Sequence, residues 1–207
     1  MPTPESPLTL ATWRRRVSDM YAAVRAASAG EEAETCALFR RMRNVLFSSH
    51  PDSPLSTGAR AAFRGLAYYP YDPRWRVHGV VDDAVAADGH GITVGGDGPV
   101  PFVRVALVRF ECPAGSASLS LYWIEGYGGG LFLPFRDGTS GNETYHAGRY
   151  LIDTAKGADL GLDHAEILLD FNYAYHPSCA YSDQWACPLA PRENWLPFAV
   201  PVGERMS

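Results

Sequence analysis

The sequence predicts an α+β fold, in which an N-terminal helical pair is followed by a mostly antiparallel sheet that is β-barrel-like or strongly curled. Up to about residue 48, apolar side chains recur every three or four residues, which is the period of an amphipathic helix. From residue 64 onward the apolar residues alternate with polar ones, and glycine-rich turns separate the short segments. Because helices come first and strands follow, α+β is favoured over an alternating α/β fold.

We expect one domain spanning residues 1–207, because single domains often reach this length. Within it, residues 1–8 have the composition of a flexible, proline-rich leader, and residues 9–50 form the helical part. Residues 60–207 form the β-rich body, whose C-terminal tail carries most of the unusual motifs.

Two helices are predicted at residues 9–28 and 32–48, from apolar stripes at helical spacing. Both contain clusters of arginine, at residues 14–16 and within residues 40–43. The arginines of the second helix lie in its C-terminal half, where positive charge suits the helix dipole. We interpret both clusters as solvent-exposed helix faces.

The strands are predicted from the alternation of apolar and polar residues. The clearest is residues 118–123, which puts Leu119, Leu121 and Trp123 on one buried face and two serines on the other. The glycine-rich segment 126–130 is expected to be a hairpin turn, because it lacks the following helix and the Gly-Lys-Ser/Thr of phosphate-binding loops. The predicted strands are 65–70, 75–82, 91–95, 101–111, 117–125, 130–135, 146–153, 164–173 and 196–202.

Composition excludes several classes of protein. The net charge is −5, from 18 basic and 23 acidic residues, which gives no electrostatic footprint for nucleic acid. No apolar run approaches the ~20 residues of a membrane span, and the N-terminus lacks the basic start and apolar core of a signal peptide. We therefore expect a cytoplasmic protein whose four cysteines are mostly reduced.

Polar and aromatic side chains concentrate in the last third of the chain. Asp170 and Asn172 stand two residues apart on a predicted strand, so both project to one face, where they can hold a polar ligand or orient an arginine. Arg149 is the best candidate for that arginine, because its planar guanidinium binds a carboxylate through two parallel hydrogen bonds. Two interpretations stay open: a structural Arg149–Asp170 pair, or an anion site in which Arg149 binds a ligand carboxylate. In the second, Tyr145 and Tyr175 would donate hydrogen bonds to the ligand or line the wall of the site.

Asp137 precedes a Gly-Thr-Ser-Gly run, and an aspartate in that position typically caps a turn. The alternative is a second carboxylate near Asp170, which would give an acid/base pair of the kind that hydrolytic enzymes use. The catalytic candidates are therefore Asp170, Asp137 and, as a thiol nucleophile, Cys179.

Cys179 and Cys187, with His176 just before them, are candidate soft ligands for a transition metal. Their spacing is not the short one of zinc knuckles, and no fourth ligand is evident. Buried structural thiols, a metal site, and a redox pair or nucleophile therefore all stay open.

Prolines stiffen the same tail, and a rigid tail laid across a barrel mouth would form one wall of a pocket. Trp185 and Trp195 are the candidates for that wall. The alternative is that both tryptophans seal the end of the barrel.

The last third of the chain carries a series of distinctive motifs, at residues 135–141, 144–151, 170–175, 177–181, 187–191, 194 and 203–204. These motifs resemble the DUF1684 family, a group of uncharacterised proteins. The resemblance is strong over residues 132–203 and weaker over residues 60–80. Longer family members carry an extra N-terminal β region, so this chain is similar to a shorter subgroup, and it departs from the family at His176, where asparagine is common. The resemblance implies no settled reaction.

From these residues we expect a cytoplasmic protein or enzyme that binds a small polar, anionic molecule between the barrel and the C-terminal tail. A metalloenzyme with Cys, His and Asp ligands and a non-catalytic module that forms a homodimer are the alternatives. A flavin or haem cofactor is suggested only by analogy with other split barrels.

Overall fold

The computed structural model describes residues 6–85, 89–93, 99–126, 128–162, 165–183, 185 and 187–206. It confirms the predicted fold class, because two helices precede an antiparallel sheet. The elements are α1 (Pro7–Arg25), α2 (Glu32–Ser49), a short α3 (Thr57–Ala62), β1 (Ala67–Tyr68), β2 (Arg76–Asp82), β3 (Gly89–Thr93), β4 (Pro99–Cys112), β5 (Gly115–Ile124), β6 (Gly130–Phe135), β7 (Arg149–Asp153), β8 (Glu166–Asp170) and β9 (Glu204–Arg205).

Helix α1 begins earlier than predicted because Ser6 caps it. The Ser6 hydroxyl accepts the backbone N–H of Thr9 at 3.1 Å, and the Thr9 hydroxyl accepts the backbone N–H of Ser6 at 3.0 Å. This reciprocal arrangement satisfies donors that a helix start leaves unpaired. Residues 6–8 of the expected leader therefore belong to the cap and the helix, whereas residues 1–5 lie outside the described part of the chain.

The main sheet is an open half-barrel. Its strands run in the order β7-β6-β5-β4-β2-β8, every neighbouring pair is antiparallel, and β3 adds to β4. After β8 the chain crosses toward the opposite edge, where Tyr175 and Tyr150 of β7 exchange two backbone hydrogen bonds of 3.1 and 2.9 Å. The segment after β8 therefore bridges the two edges of the half-barrel.

Both faces of the sheet are covered. The helices pack on one face, and Phe132 of β6 contributes to the core between them and the sheet. The C-terminal segment packs on the other face, and the next residue, Leu133, contributes to the core there. The prediction of one buried and one polar face for residues 118–123 is therefore partly wrong. Ser120, predicted on the polar face, is 2% exposed, whereas Trp123, predicted on the buried face, is 43% exposed. A strand covered on two sides needs no polar face.

The predicted strand at 196–202 is wrong, because the backbone hydrogen bonds of this segment are irregular and go partly to side chains. The N–H of Leu196 donates to the carbonyl of Arg136, and the carbonyl of Phe198 accepts the N–H of Gly138. The N–H of Val200 donates to Asp137, and its carbonyl accepts from Arg149. Pro197 and Pro201 also lack the N–H that a ladder requires. The two-residue strand β9 follows, paired with β1.

The glycine-rich segment between β5 and β6 is a hairpin connection, as predicted. Ile124 pairs with Gly130 across it, and Gly126 and Gly128 have φ values of 118° and 83°, which favour glycine. Among the helices of the described residues, none combines the length and the apolar character needed to cross a membrane.

Candidate functional site

Most of the residues that the sequence singled out fall into three groups. Two groups are buried networks of ion pairs and hydrogen bonds, and the third joins two partly exposed thiols to a tyrosine and a buried histidine. The groups are Arg149 with Asp137, Asp170 with Asn172, and Tyr145 with His176, Cys179 and Cys187.

Arg149 holds the C-terminal segment from inside the protein. It begins β7 and is 1% exposed. Its Nη2 donates to Asp137 Oδ2 at 2.7 Å and to the carbonyl of Val200 at 2.8 Å. Its Nη1 donates to the carbonyls of Val202 and Glu204. Four protein oxygen atoms therefore accept from Nη1 and Nη2 of the guanidinium that was predicted to bind an anionic ligand.

Asp137 caps a turn and also neutralises Arg149. Its Oδ1 accepts the backbone N–H of Thr139 at 2.7 Å and that of Val200 at 3.3 Å. The turn-capping interpretation is confirmed, and the predicted pairing of Arg149 with Asp170 is wrong, because Asp137 takes that place. Within the described residues, the hydrogen bonds and ion pairs of Asp137 and Asp170 join them to different partners, which gives a shared acid/base role no support.

Asp170 and Asn172 form a hydrogen-bonded corner where β8 ends. A short 3-10 turn over residues 171–173 follows instead of the predicted continuation of the strand. Asp170 Oδ1 accepts the backbone N–H of Asn172 at 3.0 Å and its side-chain Nδ2–H at 2.8 Å. The Asn172 amide also exchanges two hydrogen bonds of 2.9 Å with the backbone of Asp72. Asn172 is therefore engaged in holding the segment before β2 to the end of β8.

A cavity of about 260 Å³ lies beside Asp170, between the turn joining α1 to α2 and the strands β2 and β8. Apolar walls come from Val24 of α1, from two alanines of the turn and from Leu168 of β8. Asp170 is thus a predicted site residue that lines a cavity of the described structure. The charged and polar side chains that line it include Arg25, Glu32, Thr35, Arg76 and Asp170.

Asp170 and Arg76 supply charge at this cavity. Arg76 Nε lies 3.7 Å from Asp170 Oδ2, and the Arg76 side chain is 35% exposed while that of Asp170 is 2% exposed. Burial raises the pKa of Asp170, although the hydrogen bonds from Asn172 and the charge of Arg76 oppose that rise. Arg25 is engaged with Asp159, whose carbonyl accepts from its Nη1 at 2.7 Å. A shifted carboxyl in a concavity is a common property of binding and catalytic sites.

The thiol cluster joins Cys179, Cys187 and Tyr145. The backbone N–H of Cys179 donates to Cys187 Sγ at 3.3 Å, the two thiols hydrogen-bond each other, and the Tyr145 hydroxyl hydrogen-bonds Cys179. The hydrogen bond with Cys187, aided by that with Tyr145, lowers the pKa of Cys179 to about 7 despite burial. The same thiol–thiol bond, with burial, raises the pKa of Cys187. Both cysteines are free and partly exposed.

His176 is a buried, neutral imidazole. It is 2% exposed, its Nε2 accepts the backbone N–H of Tyr145 at 3.2 Å, and its Nδ1 lies 3.7 Å from Glu204 Oε1. Burial lowers its pKa to about 3, and the positive charges of Arg149 and Arg43 add to the effect. Its ring nitrogens thus face protein groups. In the described part of the chain no three His, Cys, Asp or Glu residues are arranged to hold a metal ion, which gives the predicted metal site no support.

The aromatic residues predicted to line a pocket have varied surroundings. Tyr175 is 9% exposed, and its ring packs against the Arg43 guanidinium at 4.9 Å. Trp195 is 46% exposed, and the Arg136 guanidinium stacks on it at 4.1 Å. Trp185 is partly exposed, and its role as a wall stays a prediction.

A buried ion pair between Arg43 and Glu204 was not predicted from the sequence. Arg43 Nη2 donates to Glu204 Oε2 at 3.0 Å, and the side chains are 8% and 1% exposed. The interpretation of the second arginine cluster as solvent-exposed is therefore wrong for Arg43. A signal was present, because Arg43 lies four residues after Phe39 and three before Leu46, on the buried stripe of α2.

Comparisons with known proteins identify relatives without an assigned activity. The family model described as "Protein of unknown function (DUF1684)" matches residues 61–205, which is more than half of the chain. A solution NMR structure of an uncharacterised protein from gene locus rrnAC0354 of Haloarcula marismortui is similar, with 35% sequence identity and a TM-score of 0.63. The similarity covers 84% of this chain and 93% of that one. A search of curated proteins found no match.

Proposed function

This chain belongs to the DUF1684 family, whose function is unknown, and we propose that it binds a small polar molecule in the cavity beside Asp170. The observation that carries the proposal is a nearly buried carboxylate next to a partly exposed arginine at a concave surface. A buried charged group is costly unless it has partners, so a polar ligand that completes the set of partners would be favoured at this position.

The size of the cavity limits the ligand. Small-molecule sites typically enclose roughly 300–1,000 Å³, and a cavity of about 260 Å³ lies just below that range. A ligand of the size of an amino acid or a hydroxy acid therefore fits, whereas a nucleotide does not.

The charge pattern limits the ligand further. Asp170 Oδ2 can accept a hydrogen bond from an amine or hydroxyl, and Arg76 can bind a carboxylate. Because the two groups lie 3.7 Å apart, a ligand needs its donor and its anionic group on adjacent atoms to meet both. We infer an α-amino acid or an α-hydroxy acid as the ligand class, which keeps the anionic ligand of the sequence analysis but moves its arginine from Arg149 to Arg76.

Ligand titration tests the proposal. A panel of α-amino and α-hydroxy acids is titrated into the protein while amide chemical shifts are recorded by NMR. We expect saturable shifts at the α1–α2 turn and at β2 and β8, and at least tenfold weaker binding, about 1.4 kcal/mol, in Arg76→Met and Asp170→Asn. Arg109→Met is the matched control, since Arg109 forms an exposed ion pair with Asp82. No saturable shifts, or equal affinity in all variants, would show that the proposal is wrong.

The remaining functional expectations stay predictions. They comprise catalysis by Asp170, the transition-metal site, the flavin or haem cofactor, and the homodimer. We also propose a cytoplasmic location, supported by four cysteines that are all free thiols. Cell fractionation followed by immunoblotting tests it, and a signal confined to the membrane or secreted fraction would contradict it.

A further inference from the structure

The geometry of the thiol cluster points to a function that does not depend on the cavity beside Asp170. We propose that Cys179 and Cys187 are a redox-active dithiol that hydroperoxides convert reversibly to a disulfide. The proposal rests on the contact between the two cysteines, their exposure and the fixed ends of the segment that joins them.

The two sulfur atoms are held close together by the backbone. Cys187 Sγ accepts the backbone N–H of Cys179 at 3.3 Å, so the sulfur of one cysteine lies directly beside the residue that carries the other thiol. Disulfide formation requires such proximity of both side chains and backbone. The pair therefore needs little rearrangement to form an S–S bond.

The ends of the segment are anchored without a covalent link. The backbone N–H of Ala180 donates to the carbonyl of Pro177 at 2.9 Å, just before and after Cys179. On the other side, the Tyr150 hydroxyl donates to the carbonyl of Pro188, directly after Cys187. These hydrogen bonds hold both cysteines in place in the reduced protein, so the fold brings the two residues together before any disulfide forms.

The remaining cysteines lack these features. Cys36 is 1% exposed, and its thiol points to the carbonyl of Asn172 at 3.9 Å. Cys112 is partly exposed like the pair, but its thiol donates to the carbonyl of Gly115 at 3.2 Å. Cys112 is thus a matched control for exposure without a neighbouring thiol.

The reaction consumes one hydroperoxide. The Cys179 sulfur attacks the peroxide oxygen, the O–O bond breaks, and a sulfenic acid and an alcohol or water form. The Cys187 sulfur then attacks the sulfenic sulfur, the S–S bond forms, and the hydroxyl leaves as water. In total, two thiols and one hydroperoxide give one disulfide, one alcohol or water, and one further water, and an external dithiol reverses the change.

Oxidation of the full chain with one equivalent of hydrogen peroxide tests the proposal. After alkylation of the remaining thiols, peptide mapping by mass spectrometry should show a Cys179–Cys187 disulfide that dithiothreitol removes. Cys112→Ser should behave like the wild type. In Cys187→Ser, the sulfenic acid on Cys179 should persist and react with dimedone.

Rates of oxidation distinguish two thiols that the fold holds together from two thiols that are only close in sequence. In the native protein we expect the disulfide to form at least tenfold faster than in the same protein unfolded in urea, and Cys179 to be oxidised at least tenfold faster than Cys112. Equal rates in native and unfolded protein, or a disulfide that involves another cysteine, would overturn the proposal. Cys179→Ser and Cys187→Ser each replace one thiol by a hydroxyl of similar size, and thermal unfolding checks that they remain folded.

Discussion

Replacing Arg149 with methionine should strongly destabilise the protein. The change leaves Asp137 as a buried carboxylate without its cation, since the two side chains are 0% and 1% exposed. Removing one partner of a buried ion pair costs about 3–5 kcal/mol. The carbonyls of Val202 and Glu204 also lose a charged donor, and each buried group left without a partner adds about 1–3 kcal/mol.

We therefore expect the free energy of unfolding to fall by at least about 4 kcal/mol, a large share of the ~5–15 kcal/mol that is typical of a domain. The assay is urea unfolding followed by tryptophan fluorescence and circular dichroism. With a slope of about 2 kcal/mol per molar urea, the midpoint falls by roughly 2 M or the variant is unfolded from the start.

Two further variants make the measurement specific. Arg109→Met removes an exposed ion pair and should cost no more than about 1 kcal/mol. Adding Asp137→Asn to Arg149→Met removes the stranded charge, so the double variant should be more stable than the sum of the two single changes implies. If Arg149→Met lies within 1 kcal/mol of the wild type, the structural role assigned to Arg149 is refuted.

Three other predictions concern pH and packing. His176 is neutral in the folded protein down to about pH 3, whereas it binds a proton near pH 6.5 when the protein is unfolded. Because the unfolded state binds more protons, the free energy of unfolding falls from pH 6.5 toward pH 3, by at most about 4 kcal/mol. His176→Asn should flatten this dependence in urea titrations at several pH values. Asn194→Ala should cost about 2–4 kcal/mol, because its amide bonds both backbone groups of Ser120 and the carbonyl of Pro134. Gly79→Ala should cost about 1–3 kcal/mol, because a Cβ there would lie 2.4 Å from a methyl carbon of Val108.

Each of these predictions has an internal comparison. Burial of Glu204 raises its pKa and opposes the effect of His176, so the difference between His176→Asn and wild type, rather than the wild-type curve, is the quantity to read. The exposed Asn142→Ala controls for Asn194→Ala. Gly58→Ala meets no neighbour within 4 Å in α3 and should be neutral or stabilising, so an equal loss at Gly58 and Gly79 would rule out the steric explanation.

Local patterns predicted the two long helices, although not the short α3, and most of the strands, because those elements follow from residue spacing. The stripe that predicted α2 depends only on neighbours within one or two turns. The segment 196–202 alternates like a strand, yet its backbone hydrogen bonds go to the side chains of Asp137 and Arg149 and to the backbone of residues 136 and 138. All of these partners lie far away in the chain. No spacing rule contains that information.

The candidate site was predictable to the extent that it is local. The sequence placed Asp170 and Asn172 together, and they are hydrogen-bonded, but through a turn rather than across the face of a strand. Arg76 was not singled out, because an arginine at the start of a strand has no distinctive pattern. It meets Asp170 only because β2 pairs with β8, where the two residues are opposite each other.

The position of Arg149 has a consequence for how the polypeptide is made. Its guanidinium binds the carbonyls of Val200, Val202 and Glu204, which a ribosome adds more than fifty residues later. A nascent chain that reaches only the end of β8 would thus expose one bare side of its sheet and an arginine without those acceptors. Completion of the structure must wait for residues 200–204 to emerge from the exit tunnel, and during that interval the unfinished half-barrel exposes apolar surface that favours aggregation.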